Sequence, residues 1–243
     1  MSKISHPSDE HERRAVGQAT LLAAEGLPPT ARCCGLDEVG RGALAGPLVA
    51  AAVILPSDIR ERLGALAPFL RDSKTTPRGK REAVARALRE HALEIALVVA
   101  PVSVIDERGI GWVNRDVFRR LISEIDADEY VVDGKIRPPA PADRAARVRC
   151  LVKADTLTPA VSAASIIAKV YRDHLMTELA GEHSGYGWER NVGYGSAEHL
   201  AALHALGPSQ QHRALFVATA LSGGQRAKRA RTDAHASDKP RLL

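Results

Sequence analysis

Leu36-Asp37-Glu38-Val39-Gly40-Arg41-Gly42-Ala43-Leu44-Ala45-Gly46 is the stretch from which the fold can be read. An apolar run meets two adjacent carboxylates, a glycine–arginine–glycine turn follows, and Pro47 opens a second apolar run from Leu48 to Leu55. Residues 32–38 and 47–55 read as strands, and so close a pair is most simply an antiparallel hairpin. Successive strand side chains face opposite ways unless the strand is ending. Two carboxylates at a strand end, beside a turn that admits close approach, suit a metal ion facing an anionic polymer.

Outward from this hairpin, strands and helices alternate. Pro77 opens a helix to about Glu90, with Val84 and Leu88 one turn apart. Leu93 to Val99 reads as a buried strand. Val113, Val117, Leu121 and Ile125 recur every four residues and mark a helix. Tyr130-Val131-Val132-Asp133 is a short strand ending on a carboxylate, and 134–147, with three prolines, is a loop. Val148 to Val152 is a further strand, with Asp155 just beyond it. Pro159 starts a long helix to about Leu179, and Ser196 caps one to about Leu206. His11 to Leu22 reads as a short helix. Strands first and β–α units afterwards imply an α/β fold, a mixed sheet with helices on its faces. Ligand sites in such sheets lie at strand ends where the strand order switches. Asp37, Glu38, Asp133 and Asp155 thereby share one expected location.

The bulk numbers narrow the class. The chain has 243 residues, 45% hydrophobic and 26% charged, which suits one sizeable α/β domain with extensions. The expected division is a lead-in over 1–30, a domain over 31–221 including C-terminal helices, and a basic tail over 222–243. No apolar run approaches the roughly 20 residues of a membrane helix, and Met1 to Glu12 has no signal-peptide apolar core. The three cysteines, Cys33, Cys34 and Cys150, offer neither a disulfide framework nor zinc spacing, and a reducing cytoplasm is the simplest reading. The net charge of +5 permits nucleic-acid binding. Much of it lies in 222–243, where six Lys or Arg face two Asp. That tail reads as a solvated, disordered segment or as a salt-sensitive tether to nucleic acid.

Four carboxylates at one place repel one another unless cations intervene. Oxygen-only ligands favour magnesium or manganese, and a pair of such ions would serve phosphodiester cleavage. Taken singly, Asp133 before Gly134 and Asp155 before Thr156 read as turn or cap residues. Pattern alone therefore stops at a metal-dependent phosphoryl-transfer enzyme.

The motifs resemble, in sequence and order, the type 2 ribonuclease H family, ribonuclease HII. The resemblance is carried by Asp37-Glu38-Val39-Gly40-Arg41-Gly42 with Leu44-Ala45-Gly46-Pro47, then Asp72-Ser73-Lys74, Val132-Asp133-Gly134 and Lys153-Ala154-Asp155. It continues through Ser162 to Asp173, Gly193-Tyr194-Gly195 and His212-Arg213 to Phe216, and so covers about residues 32–217. Arg41 and the Leu-Ala-Gly-Pro run separate it from the type 3 family.

The resemblance implies a ribonuclease H-like fold with a central mixed five-stranded sheet flanked by helices and a helical C-terminal extension. It implies Mg2+- or Mn2+-dependent hydrolysis of RNA in RNA–DNA hybrids and incision 5′ of single ribonucleotides in duplex DNA, leaving a 3′-hydroxyl and a 5′-phosphate. Asp37, Glu38, Asp133 and Asp155 would be the catalytic, metal-binding carboxylates of a two-metal site. Gly40, Arg41 and Gly42 would sense the ribose 2′-hydroxyl, and Tyr194 would pack against the sugar on the deoxy side of the junction. Tyr186, in a similar Gly-Tyr-Gly setting, competes for that role. Tyr171 reads as packing, Lys74 as a phosphate contact and Asn114 as a polar contact to nucleic acid. A monomer is expected. Gln211 to Phe216 loosely resembles a sliding-clamp peptide, but His212-Arg213 and Phe216 fit the family's own core better. Two residues depart from the pattern: Lys135, where asparagine is common, and Ala154, where glycine is common. Two other readings stay open, a DNA-directed nuclease or resolvase on a similar fold and a non-catalytic hybrid-binding module.

Overall fold

The computed structural model describes residues 31–71, 73 and 76–222. The expected helix over 11–22, Asp72, Lys74 and nearly all of the basic tail lie outside the described residues. The described chain divides into two compact units. The larger takes 31–39, Leu48–Ala100 and Gly111–Arg172; the smaller takes Gly40–Pro47, Pro101–Ile110 and 173–222.

The larger unit is built on a mixed five-stranded sheet of order β3-β2-β1-β4-β5. Its strands are β1 (Cys33–Val39), β2 (Leu48–Ile54), β3 (Glu94–Ala100), β4 (Glu129–Asp133) and β5 (Val148–Leu151). β1 and β2 form the expected antiparallel pair, β3 adds antiparallel to β2, and β4 and β5 run parallel to β1. Every residue of β2 is buried, as a strand covered on both faces requires. Helix α1 (Ile59–Leu63) and a 3-10 turn (Gly64–Phe69) precede α2 (Arg78–His91), which buries Val84 and Leu88 and has Pro77 at its cap. After α3 (Val102–Arg108) comes α4 (Ile110–Glu124), which buries Val113, Val117 and Leu121 as their four-residue spacing predicts.

Local departures have physical reasons. The proline-rich loop after β4 contains a single helical turn, α5 (Ala142–Ala145), begun by Pro141. Asp155 follows β5 as expected, but sits in a short helix, α6 (Ala154–Leu157), which the sequence pattern does not signal. The chain turns into α6 through Lys153, whose φ of 59° is rare for a residue with a Cβ. The long helix α7 runs Pro159–Glu182. Its first turn lies directly on β1: a Cβ added to Gly35 would stand 2.1 Å from the Ala160 carbonyl carbon.

The smaller unit packs Leu44, Ala45, Met176, Tyr186, Trp188, Leu203 and Val217 into a second core. It includes α8 (Trp188–Asn191), α9 (Ala197–Leu206) and a final helix, α10, over 214–222. Ser196 caps α9 by accepting a hydrogen bond from the His199 amide at 3.2 Å. Among the described residues no helix is long and apolar enough to cross a membrane. All three cysteines are free.

Candidate active site

The candidate residues fall into two groups, one in each unit. In the larger unit Leu36 pairs with Val132 across the parallel β1–β4 ladder. Asp37 and Asp133, each one residue further, therefore lie on neighbouring strands about 4.8 Å apart, Asp133 as the last residue of β4 and Asp37 two residues before β1 ends. Asp37 is only 8% exposed. Burial, reinforced by the charges of Glu38 and Asp133, pushes its carboxyl up to about 8. Two donors oppose that rise, the Ser165 hydroxyl and the Glu38 amide, the latter at 2.8 Å. Ser165 lies on α7, and its hydroxyl is also 2.8 Å from that of Ser73. Because the carboxylate accepts from Ser165, Ser73 donates to Ser165 in turn. Buried Arg81 holds the same loop by donating to the Ser73 carbonyl at 2.6 Å. Asp133 accepts from the Ala154 amide at 2.8 Å, which sets the residue before Asp155 against the end of β4. Asp155 lines a shallow cleft with Arg60, Arg71, Thr156, Thr158 and Ser162.

Asp37, Glu38 and Asp133 are thus coupled by charge, and Asp155 is tied to them through its backbone neighbour. The donor set is all carboxylate oxygen, which fits a hard divalent cation. The side chains do not form a closed cage: among the described residues no three His, Cys, Asp or Glu converge as ion ligands. Like charges resist such convergence without a cation between them.

In the smaller unit Gly40 adopts a φ of 87°, and its carbonyl accepts from the Ala43 amide at 3.3 Å, closing a turn with exposed Arg41 and Gly42 at its centre. A Cβ on Gly42 would meet nothing within 4 Å, so packing places no demand for glycine there. The turn's flank is pinned. Leu44 and Ala45 donate to the Gly193 carbonyl at 2.8 and 3.2 Å. Fully buried Arg213 donates through Nε and Nη2 to the Gly46 carbonyl and through Nη1 to that of Arg41. Next to Gly193, Tyr194 is 37% exposed. Tyr186 is 7% exposed, stacks on Trp188 at 5.2 Å and donates its hydroxyl to the Gly207 carbonyl. The Gly-Tyr-Gly ambiguity is therefore one between a surface tyrosine and a core tyrosine.

A buried polar network lies behind Tyr194. His199 Nδ1 is 2.9 Å from the Tyr194 carbonyl, which can only accept, so Nδ1 carries the proton. His199 Nε2 then accepts from Trp188 Nε1 at 3.1 Å and from His212 Nε2 at 3.0 Å. His212 Nδ1 is left to accept the Ser209 amide at 2.8 Å. Both rings are thus neutral. Burial depresses both imidazoles, and with His199 alongside it His212 falls to about 4.

The ribonuclease HII family model matches residues 34–219, which takes in both groups. The chain belongs to the ribonuclease HII family. It is accordingly an enzyme, an endonuclease of the ribonuclease H class. It is 44% identical over 188 residues to the ribonuclease HII of Rhodospirillum rubrum, covering 76% of this chain and 84% of that protein. The ribonuclease H2 structure from Pyrococcus horikoshii matches with a TM-score of 0.64 at 25% identity, covering 78% of this chain and 96% of that one. The ribonuclease HII of Archaeoglobus fulgidus, solved in complex with PCNA, matches with a TM-score of 0.62 at 26% identity, over 75% of this chain and 94% of its own. The expected ribonuclease H-like fold with its mixed five-stranded sheet is the one observed.

Within this ribonuclease HII, Asn114 faces the core: it is 5% exposed, and its amide nitrogen has no hydrogen-bond partner among the described residues. A contact from it to nucleic acid would require the helix to move. Ser73, Ser165, Arg81, His199 and Arg213 escaped assignment to the site from sequence. Ser73, Ser165 and Arg213 at least stand in the motifs, whereas Arg81 and His199 lie outside them, and a side chain aimed at another loop leaves no periodicity.

Proposed function

We propose that this ribonuclease HII hydrolyses the RNA strand of RNA–DNA hybrids and incises 5′ of single ribonucleotides embedded in duplex DNA, leaving 3′-hydroxyl and 5′-phosphate ends. The observation that carries this reading is the crowding of Asp37, Glu38 and Asp133 where the β1–β4 ladder ends. So much negative charge beside a phosphodiester polymer is sensible only where cations join the two.

Asp37, Glu38, Asp133 and Asp155 would hold Mg2+ or Mn2+ as a two-ion site. When bound, such ions stabilise charge on the attacked phosphate and activate water. The chain's own groups prepare the site. Ser165 and the Glu38 amide fix one Asp37 carboxylate orientation, and the Ala154 amide does the same for Asp133. Substrate choice rests with the smaller unit. An unencumbered Gly42 lets backbone approach a ribose closely, and the 2′-hydroxyl can both donate and accept there. Exposed Tyr194 is available to pack against the neighbouring sugar. A clamp contact through Gln211–Phe216 is disfavoured, since His212 and Arg213 are buried. The PCNA complex of the A. fulgidus relative leaves a clamp contact elsewhere on the chain as the alternative.

A DNA duplex carrying one ribonucleotide, with Mg2+ or Mn2+, tests the reading. One cut 5′ of the ribonucleotide and none in an all-DNA duplex is expected. Cutting of all-DNA duplex would assign a DNA nuclease or resolvase, and binding without cutting a hybrid-binding module.

A further inference from the structure

A groove of about 500 Å³ on the larger unit is lined by Trp112, Arg115 and Arg119 of α4 and by Arg137, Pro138 and Pro139 of the loop after β4. Residues 112, 115 and 119 fall on one stripe of the helix, away from the buried Val113, Val117 and Leu121. Asp116, the groove's one carboxylate, is engaged by Arg119 through Nε and Nη2 at 2.9 and 2.7 Å. Exposed Arg115 makes no ion pair among the described residues, and Arg137 is anchored by donating to the Ala145 carbonyl. Two arginines therefore remain uncompensated by acid. A solvated helix face explains the arginines but not Trp112, which is 43% exposed.

The groove's position supplies its occupant. Arg137 follows Asp133 by four residues, so its Cα lies within about 15 Å of that carboxylate's Cα. A nucleic-acid strand advances about 3.4 Å per nucleotide. A backbone engaged at Asp133 would reach the groove within about four or five nucleotides. An acidic peptide would meet the same charge but has no cause to lie beside the catalytic strand.

We propose that this groove is a second nucleic-acid contact, a track that holds one arm of the substrate duplex beyond the cleaved phosphate. Arg115 and Arg137 meet phosphates, and the Trp112 indole lies against a sugar or base edge. The inference rests on the nuclease reading and extends it to the flanking duplex.

The test compares a short duplex of about 12 base pairs with one of about 30, each with one central ribonucleotide, in Mg2+ at several salt concentrations. The wild-type protein is expected to show a lower KM on the longer duplex. The Arg115→Ala/Arg137→Ala double variant should raise that KM about tenfold and leave kcat within twofold. It should also reduce the slope of log KM against log salt by about 2, roughly one for each lost phosphate contact. Trp112→Ala should raise KM with the slope retained. Arg115→Lys/Arg137→Lys should keep the wild-type slope. A double alanine variant with unchanged KM and slope overturns the groove while leaving the nuclease reading intact. A raised KM with an unchanged slope also overturns it, as a purely structural effect. A wild-type protein that cuts neither duplex overturns both.

Discussion

Asp37 concentrates the tension of the site in one side chain. Its folded carboxyl titrates near 8 because burial and two neighbouring carboxylates disfavour the charge. A carboxyl whose folded pKa lies above its unfolded value holds more protons when folded, so stability falls as pH rises from about 4 to about 8. Asp37→Asn should therefore abolish turnover and, in metal-free buffer at neutral pH, raise stability by roughly 2–4 kcal/mol. Cleavage assays and denaturant melts in EDTA check the two halves. Gly42→Ala should leave stability within about 0.5 kcal/mol yet lower cleavage at an embedded ribonucleotide at least tenfold, because the methyl group meets only the ligand. Tyr194→Ala should impair cleavage at the RNA–DNA junction with little loss of stability. Tyr186→Ala should instead lose about 3 kcal/mol or more from the core, as melts of both variants would separate. The carboxylates were legible in sequence because three of them stand where apolar runs break off. Ser165 and Ser73 were not, because a hydroxyl's partner across 92 residues leaves no local trace.

Between elements, the contact that matters most is α7 on β1. Gly35 lets the Ala160–Val161 backbone lie where a Cβ would stand, and the same helix carries Ser165 to Asp37. Gly35→Ala should cost more than about 3 kcal/mol and reduce activity in whatever protein remains folded, since moving the helix draws Ser165 away. The His199–His212 pair makes a pH prediction of opposite sign. A histidine depressed when folded loses stability as pH falls from about 6.5 to about 4. Melts at pH 7 and pH 4.5 should differ by a term on the order of 2 kcal/mol that is absent in His212→Gln, itself less stable at pH 7. Strands and long helices were readable from period and punctuation. The turns at Ile59–Leu63, Ala142–Ala145 and Ala154–Leu157 span five residues or fewer, too few for a helical period to register.

At the scale of the molecule, the hairpin at Asp37 and the alternation after it implied a mixed sheet, which is observed; the order β3-β2-β1-β4-β5 was not read from the sequence. The smaller unit was not legible as a unit, because three separated stretches of chain supply it. Its assembly has a consequence for how the protein is made. The Gly40–Gly42 turn leaves the ribosome early, but the groups that pin its flank, the Gly193 carbonyl and the Arg213 guanidinium, arrive 146 residues or more after Pro47. At synthesis rates of 5–20 residues per second the turn waits on the order of ten to thirty seconds for its supports. The nascent chain thus carries the carboxylates proposed to cut well before it holds the loop proposed to choose where to cut.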